Sequence, residues 1–218
     1  MLTLRKNIPN ADQIKNIIFD FGGVVCDIDI ARTEEKFAAF GLSKTADEKP
    51  GADPSNAFEA LVKLYETGRI NSGEFRKAIQ DHYLNPPAED AIDEAWNALL
   101  IGIPEQRIQL LESLRKTYRI FLLSNSNAIH YSHYLAYFQT RFGYRDFNGL
   151  FEKSFFSFQI HLSKPGKEIF EYVLKHAELN PSETLFIDDF LVNCQGAREA
   201  GMEGYHLHAP EEISGLFE

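Results

Sequence analysis

The sequence predicts an α/β fold, a Rossmann-like parallel sheet core with an α-helical cap inserted into it. Two observations point there. Short apolar runs ending in acids or other polar residues alternate with helical stretches, as buried parallel strands joined by crossover helices do. Between residues 30 and 101 the texture changes to helical signals alone. A chain of 218 residues is long enough for one buried core with a smaller attachment.

The elements follow in order. Residues 16–25 read Asn-Ile-Ile-Phe-Asp-Phe-Gly-Gly-Val-Val, an apolar strand that stops at Asp20 and then at two glycines, which let the backbone turn sharply. In the helical block, Asp53 before Pro54 forms an N-cap with proline at the first helical position. Apolar Phe58, Leu61, Val62 and Tyr65 follow, and Gly68 is the stop. Asn71 with Glu74 has the spacing of a capping box and opens a second helix through Phe75 and Ile79. Ile92, Ala95, Trp96 and Leu99 mark a third. Residues 106–116 form a helix with Ile108, Leu111 and Leu114 inward, and 119–125 form an apolar strand ending in Ser124 and Asn125. Residues 153–158 are a third strand, with helix as the alternative because 150–156 are so aromatic. Ile169, Phe170 and Val173 share one face of a helix over 166–176. A strand over 184–189 ends in Asp188 and Asp189, a helix runs on to Gly201, and 204–207 offer a last strand. The expected organisation is a core of residues 1–29 and 102–218 and a cap of residues 30–101.

Charge and composition exclude several classes. The net charge of −10 repels a phosphate polyanion at long range, so no nucleic-acid partner is expected. Two cysteines, Cys26 and Cys194, make neither a disulfide framework nor a zinc set. No apolar run nears 18 residues and no apolar segment follows Arg5 and Lys6, so a cytoplasmic protein without a membrane partner is expected. A monomer or homodimer is compatible with the apolar helices of the cap. The string Asp20-Phe21-Gly22 also occurs in kinases, but the nineteen residues before it leave no room for a kinase's other loops.

In open α/β sheets ligands bind at the carboxyl ends of strands, where this chain places Asp20, Ser124-Asn125 and Asp188-Asp189. With Lys164-Pro165 before a helix, these residues make the sequence resemble the haloacid dehalogenase superfamily over nearly its whole length. The strings Phe-Asp-Phe-Gly-Gly-Val-Val from residue 19 and Leu-Ser-Asn-Ser-Asn from residue 123 are most similar to the branch holding sugar-1-phosphatase-like proteins and the amino-terminal domain of soluble epoxide hydrolase. The resemblance implies Asp20 as nucleophile, with Ser124 and Lys164 as the other catalytic residues. It implies a phosphate-binding group of Ser124, Asn125, Lys164, Gly22 and Gly23. Around Mg²⁺ it implies Asp20, the backbone carbonyl of Gly22, Asp189 and Asp188. The expected activity is a Mg²⁺-dependent phosphatase of small phosphorylated metabolites, sugar phosphates foremost, working through an aspartyl-phosphate.

Phosphoryl-transfer physics agrees. A carboxylate about 4 Å from a phosphate dianion meets roughly 8 kcal/mol of repulsion at an effective dielectric near 20, which a divalent cation and Lys164 would offset.

One position departs from the family. Phosphatases of this kind usually carry a second Asp two residues after the nucleophile, as general acid and base, and here that residue is Gly22. Such a group contributes about 10² to 10⁴ in rate. Three readings follow: a leaving group needing little protonation, which is favoured; a substitute acid; or a phosphate binder with little turnover. A metal-independent dehalogenase is the rival enzyme, and the paired acids Asp188-Asp189 argue against it, since that branch carries Ser-Asn there. Asp27 and Asp29 are assigned to the linker entering the cap. His130, His133 and His161 read as packing or surface residues. Asn193 is either a group that orients the acids or a plain helix residue.

Overall fold

A computed structural model describes residues 2–41 and 54–218 of the chain. Five parallel strands form the main sheet, in the order β5-β4-β1-β6-β7: β1 (Asn16–Phe19), β4 (Arg119–Ser124), β5 (Lys153–Phe156), β6 (Thr184–Asp188) and β7 (Glu203–His206). Every residue of β1 is buried, and alternate side chains enter two separate cores, as the two-residue period of a strand requires. Ile17 and Phe19 pack with Leu122 and Ile187 on one face, and Ile18 with Phe121, Leu123 and Phe186 on the other. Helices α5 (Glu105–Leu114), α6 (Ala128–Phe142), α7 (Ser157–Ile160), α8 (Lys167–His176) and α9 (Leu191–Glu199) complete the core domain.

The cap holds α1 (Ile30–Ala38), α2 (Pro54–Glu66), α3 (Ser72–His82) and α4 (Glu89–Asn97). The N-cap expected at Asp53 lies outside the described residues. The Asn71–Glu74 capping box is formed in both directions, with Asn71 Oδ1 accepting from Glu74 N at 3.0 Å and Glu74 Oε2 accepting from Asn71 N at 2.8 Å. An aromatic cluster joins the helices. Phe75 stacks on Tyr65 at 4.3 Å and lies 5.0 Å from Trp96, while Ile79 and Ile92 fill in around them. Ile129 of α6 belongs to the same cluster, so cap and core share apolar packing.

One feature was not foreseen. The helical block is flanked by an antiparallel ribbon, β2 (Asp27–Ile28) against β3 (Leu100–Gly102), whose strands are too short for alternation to register. Its second strand takes residues 100 and 101 out of the purely helical block. The aromatic stretch after residue 127 is α6, then β5, then the short α7, so 153–156 is strand and 157–160 is helix. Among the described residues no helix is long and apolar enough to cross a membrane.

Phe75 is fully buried and meets its neighbours through ring faces. Phe75→Ala is expected to cost about 3 to 5 kcal/mol of stability, read as a lower denaturation midpoint.

Candidate active site

Strand order does most of the assembly. β1 is flanked by β4 and β6 in matched register, Phe19 opposite Leu122 on one side and Ile187 on the other. The residues just past these three strand ends therefore converge: Asp20 in the middle, Ser124 on one flank, Asp188 and Asp189 on the other.

Lys164 enters from the loop after α7. Its Nζ donates to Asp20 Oδ1 at 2.5 Å and to Asp188 Oδ2 at 2.7 Å, and all three residues are buried. Asn125 holds the lysine in place through its backbone: Asn125 Nδ2 donates to Lys164 O at 3.0 Å and Lys164 N donates to Asn125 Oδ1 at 2.9 Å. The Asn125 amide, assigned above to phosphate binding, is thus committed to Lys164. Asp188 is similarly occupied. Besides Lys164 it accepts from Phe190 N at 2.8 Å and from Asn193 Nδ2 at 2.9 and 3.1 Å, which uses the roughly four acceptor positions of a carboxylate. Asn193 therefore holds Asp188 in place, closer to the first of its two readings, and touches neither Asp20 nor Asp189 by a hydrogen bond among the described residues.

Asp189 differs from Asp188. Its Oδ1 is buried and finds no hydrogen-bond partner among the described residues. Its carboxylate lies against Gly23, where the backbone has φ +77° and a Cβ would fall 2.2 Å from Asp189 Oδ2. Only glycine permits both the turn and the approach. Asp20, Asp188 and Asp189 bring one oxygen each within 4.8 Å of one another.

Electrostatics follow from burial. Desolvation pushes Asp20 up to about 7 against the pull of Lys164, and pushes Asp189 up to about 6 with the help of Asp188. Burial pulls Lys164 down, but Asp20 and Asp188 outweigh it and its net shift is upward, so it remains an ammonium. One cation faces three acids, two of them buried and the third partly so. An all-oxygen, acid-rich set with an orphaned buried oxygen fits a hard divalent cation.

The site opens into a cavity of about 1140 Å³ between core and cap. Asp20, Gly22, Ser124, Asn125 and Lys164 line its core side, and Phe37, Phe58, Ile79, Trp96 and Glu66 are among its cap residues. Glu66 escaped the sequence reading, since only the docking of α2 on the core reveals it. The other candidates take structural roles. Asp27 pairs with Arg107 at 2.8 Å and Asp29 caps α1 through Ala31 N at 3.1 Å. His130 stacks on Trp96 at 5.0 Å, and its Nδ1 meets Asn97 Oδ1 at 3.0 Å. Burial holds it down at about 3, so it stays neutral. His161 binds the carbonyl of Thr67 at 2.9 Å and so ties the cap to the core.

This site on this sheet defines a hydrolase of the haloacid dehalogenase class, and the chain belongs to that family: residues 14–201 match the haloacid dehalogenase-like hydrolases. The chain is 31% identical to the D-ribitol-5-phosphate phosphatase of Bacteroides thetaiotaomicron over 88% of its own length and 91% of the relative's. A haloacid dehalogenase-family enzyme from the same organism, solved with magnesium and inorganic phosphate, is 34% identical and superposes with a TM-score of 0.80 over 94% of this chain and all of that one. A predicted family hydrolase from Porphyromonas gingivalis gives 0.79 at 29% identity, over 94% and 96% of the two chains.

The raised acids make stability depend on pH. A carboxyl whose folded value lies above its unfolded value near 3.9 stabilises the fold below that value and loses the contribution as pH rises through 6 to 7. Metal-free protein is therefore expected to melt a few degrees higher at pH 6 than at pH 8, about 1 kcal/mol coming from Asp20. Asp20→Asn should flatten the difference; calorimetry in EDTA checks both.

Proposed function

We propose that the protein is a Mg²⁺-dependent phosphatase of small phosphorylated metabolites, sugar and polyol phosphates foremost, acting through an aspartyl-phosphate on Asp20. The observation that carries this is the Asp20–Lys164–Asp188 chain of short contacts beside the orphaned oxygen of Asp189. A dehalogenase needs no cation, whereas this site gathers more negative charge than Lys164 balances. The relative that acts on D-ribitol 5-phosphate and the one solved with magnesium and phosphate support the same reading.

Mg²⁺ would be held by Asp20, Asp189 and the Gly22 carbonyl, with Asp188 behind them, and when bound it supplies positive charge against the phosphoryl oxygens. The chain's own residues do the rest. Lys164 offsets the repulsion between carboxylate and phosphate and pulls Asp20 toward its ionised form, against the desolvation that raises it. Ser124, 4% exposed at the cavity floor, offers its hydroxyl to a phosphoryl oxygen. The backbone N–H groups of Gly22 and Asn125 complete the cradle, whereas that of Gly23, expected there from the sequence, donates to the Cys26 carbonyl at 2.8 Å. An Asp20 carboxylate oxygen bonds to phosphorus as the bond to the leaving oxygen breaks, and water then cleaves the aspartyl-phosphate. The cap covers this chemistry, and its aromatic wall packs against the organic part of the substrate.

A panel of phosphorylated metabolites with and without Mg²⁺ tests the reading. Phosphate release is expected to require the metal and to fall by at least ~10³-fold in Asp20→Asn with the fold retained. Halide release from haloacids in EDTA would contradict it. Lys164→Ala leaves Asp20 and Asp188 unpaired and buried, so activity should be lost and stability lowered by roughly 3 to 5 kcal/mol in metal-free protein.

A further inference from the structure

The cavity holds a carboxyl group that the reaction above does not use. Glu66, the last residue of α2, lines the same space as Asp20, Ser124 and Lys164. Among the described residues its side chain makes no hydrogen bond or ion pair. Burial pushes it up, against the pull of Lys63 and Lys164. The charged and titratable groups facing it are Lys63 on its own helix, Lys164 from the core loop and Tyr134 from α6.

Its position is fixed by the joint where α2 ends. Lys63 Nζ donates to Ser163 Oγ, the residue before Lys164, at 2.5 Å. His161 Nδ1 meets Thr67 O at 2.9 Å. At Gly68, φ is +63° and a Cβ would fall 2.2 Å from Phe158 O. The turn after Glu66 is thus clamped on the loop that delivers Lys164, which fixes the acid on the wall of the cavity that Lys164, Asp20 and Ser124 also line. Two further carboxyls on the cavity wall, Glu34 and Glu59, are exposed to solvent, and the buried imidazole and phenol nearest the site suit proton transfer poorly. His130 is stacked and engaged through Nδ1, and Tyr134 is held well above the usual phenol range by burial.

We propose that Glu66 is the general acid and base of this enzyme, supplied from the cap in place of the carboxyl that the core lacks at Gly22. The inference rests on the phosphatase reading above. As Asp20 bonds to phosphorus, the electron pair of the breaking bond stays on the leaving oxygen, which takes the proton of the Glu66 carboxyl and departs as an alcohol. The Glu66 carboxylate then takes a proton from water as that water's oxygen bonds to phosphorus. The bond between Asp20 and phosphorus breaks, and phosphate, ionised Asp20 and protonated Glu66 remain. Cap closure is thereby tied to chemistry, because the acid arrives with the cap.

Leaving groups of different basicity test this. Nitrophenolate departs without a proton, whereas phenolate and above all an alkoxide need one. Glu66→Gln keeps shape and size where no hydrogen bond is lost, and an unchanged melting temperature checks the fold. With Mg²⁺, kcat for phenyl phosphate and glycerol phosphate is expected to fall by ~10²-fold or more, and that for p-nitrophenyl phosphate by only a few-fold. Gly22→Asp in the Glu66→Gln background should recover much of the loss. A Cβ there meets Ile28 at an ordinary 3.5 Å and, among the described residues, nothing closer, and the carboxyl puts the proton back on the core. An equal loss with all three substrates, no loss, or a raised KM at unchanged kcat would overturn the proposal, as would a wild-type enzyme active on p-nitrophenyl phosphate alone. A wild-type protein inactive on all three would instead count against the phosphatase reading itself.

Discussion

The structure turns on one buried ammonium between two buried carboxylates. Lys164 is 3% exposed, Asp20 7% and Asp188 not at all, so none of them has water to fall back on. Removing one partner from such a set costs several kcal/mol because the other charges stay buried. Much of the surrounding polar structure serves this one contact. Asn125 grips the backbone of Lys164 from the neighbouring strand end, while Asn193 and the amide of Phe190 hold Asp188. Asp189 is the acid left over. One cation against three acids leaves a negative balance, which fits the positive charge that phosphoryl transfer requires.

Sheet topology delivers these groups without long-range contrivance. Because β1 lies between β4 and β6, residues more than a hundred positions apart in sequence meet at three adjacent strand ends. The two cores on either face hold the strands in register and so hold the carboxylates. The cap contributes differently. Its aromatic cluster keeps it folded as a unit, and a few contacts around Gly68 and His161 pin it to the loop carrying Lys164. The site thus has a rigid floor from the sheet and a roof docked through that joint and through the packing of Trp96 and Tyr65 on α6.

How much could be read from the sequence follows from this division. Asp20, Ser124, Asp188 and Asp189 were legible because apolar runs that stop at polar residues mark strand ends, and strand ends are where α/β sheets bind ligands. Lys164 was legible only through its order among the other motifs, since a lone lysine before a helix carries no signal of burial. The committed roles of Asn125 and Asp188 were hidden, because both depend on where Lys164 docks, 39 and 24 residues away, which leaves no local pattern. The β2–β3 ribbon is too short for periodicity. Glu66 sits on an amphipathic helix among other acids, and nothing local separates it from a solvated residue. Its place is set by where the cap docks, which is a tertiary fact.

The proposed mechanism has Lys164 draw Asp20 toward its ionised form and aim it so that its own oxygen attacks phosphorus. The most direct measurement is the stereochemical course at phosphorus, using a chiral thiophosphate monoester hydrolysed in isotopically labelled water. Two successive in-line displacements through Asp20 predict net retention of configuration. Net inversion would mean that water attacks the substrate directly, and would contradict the account.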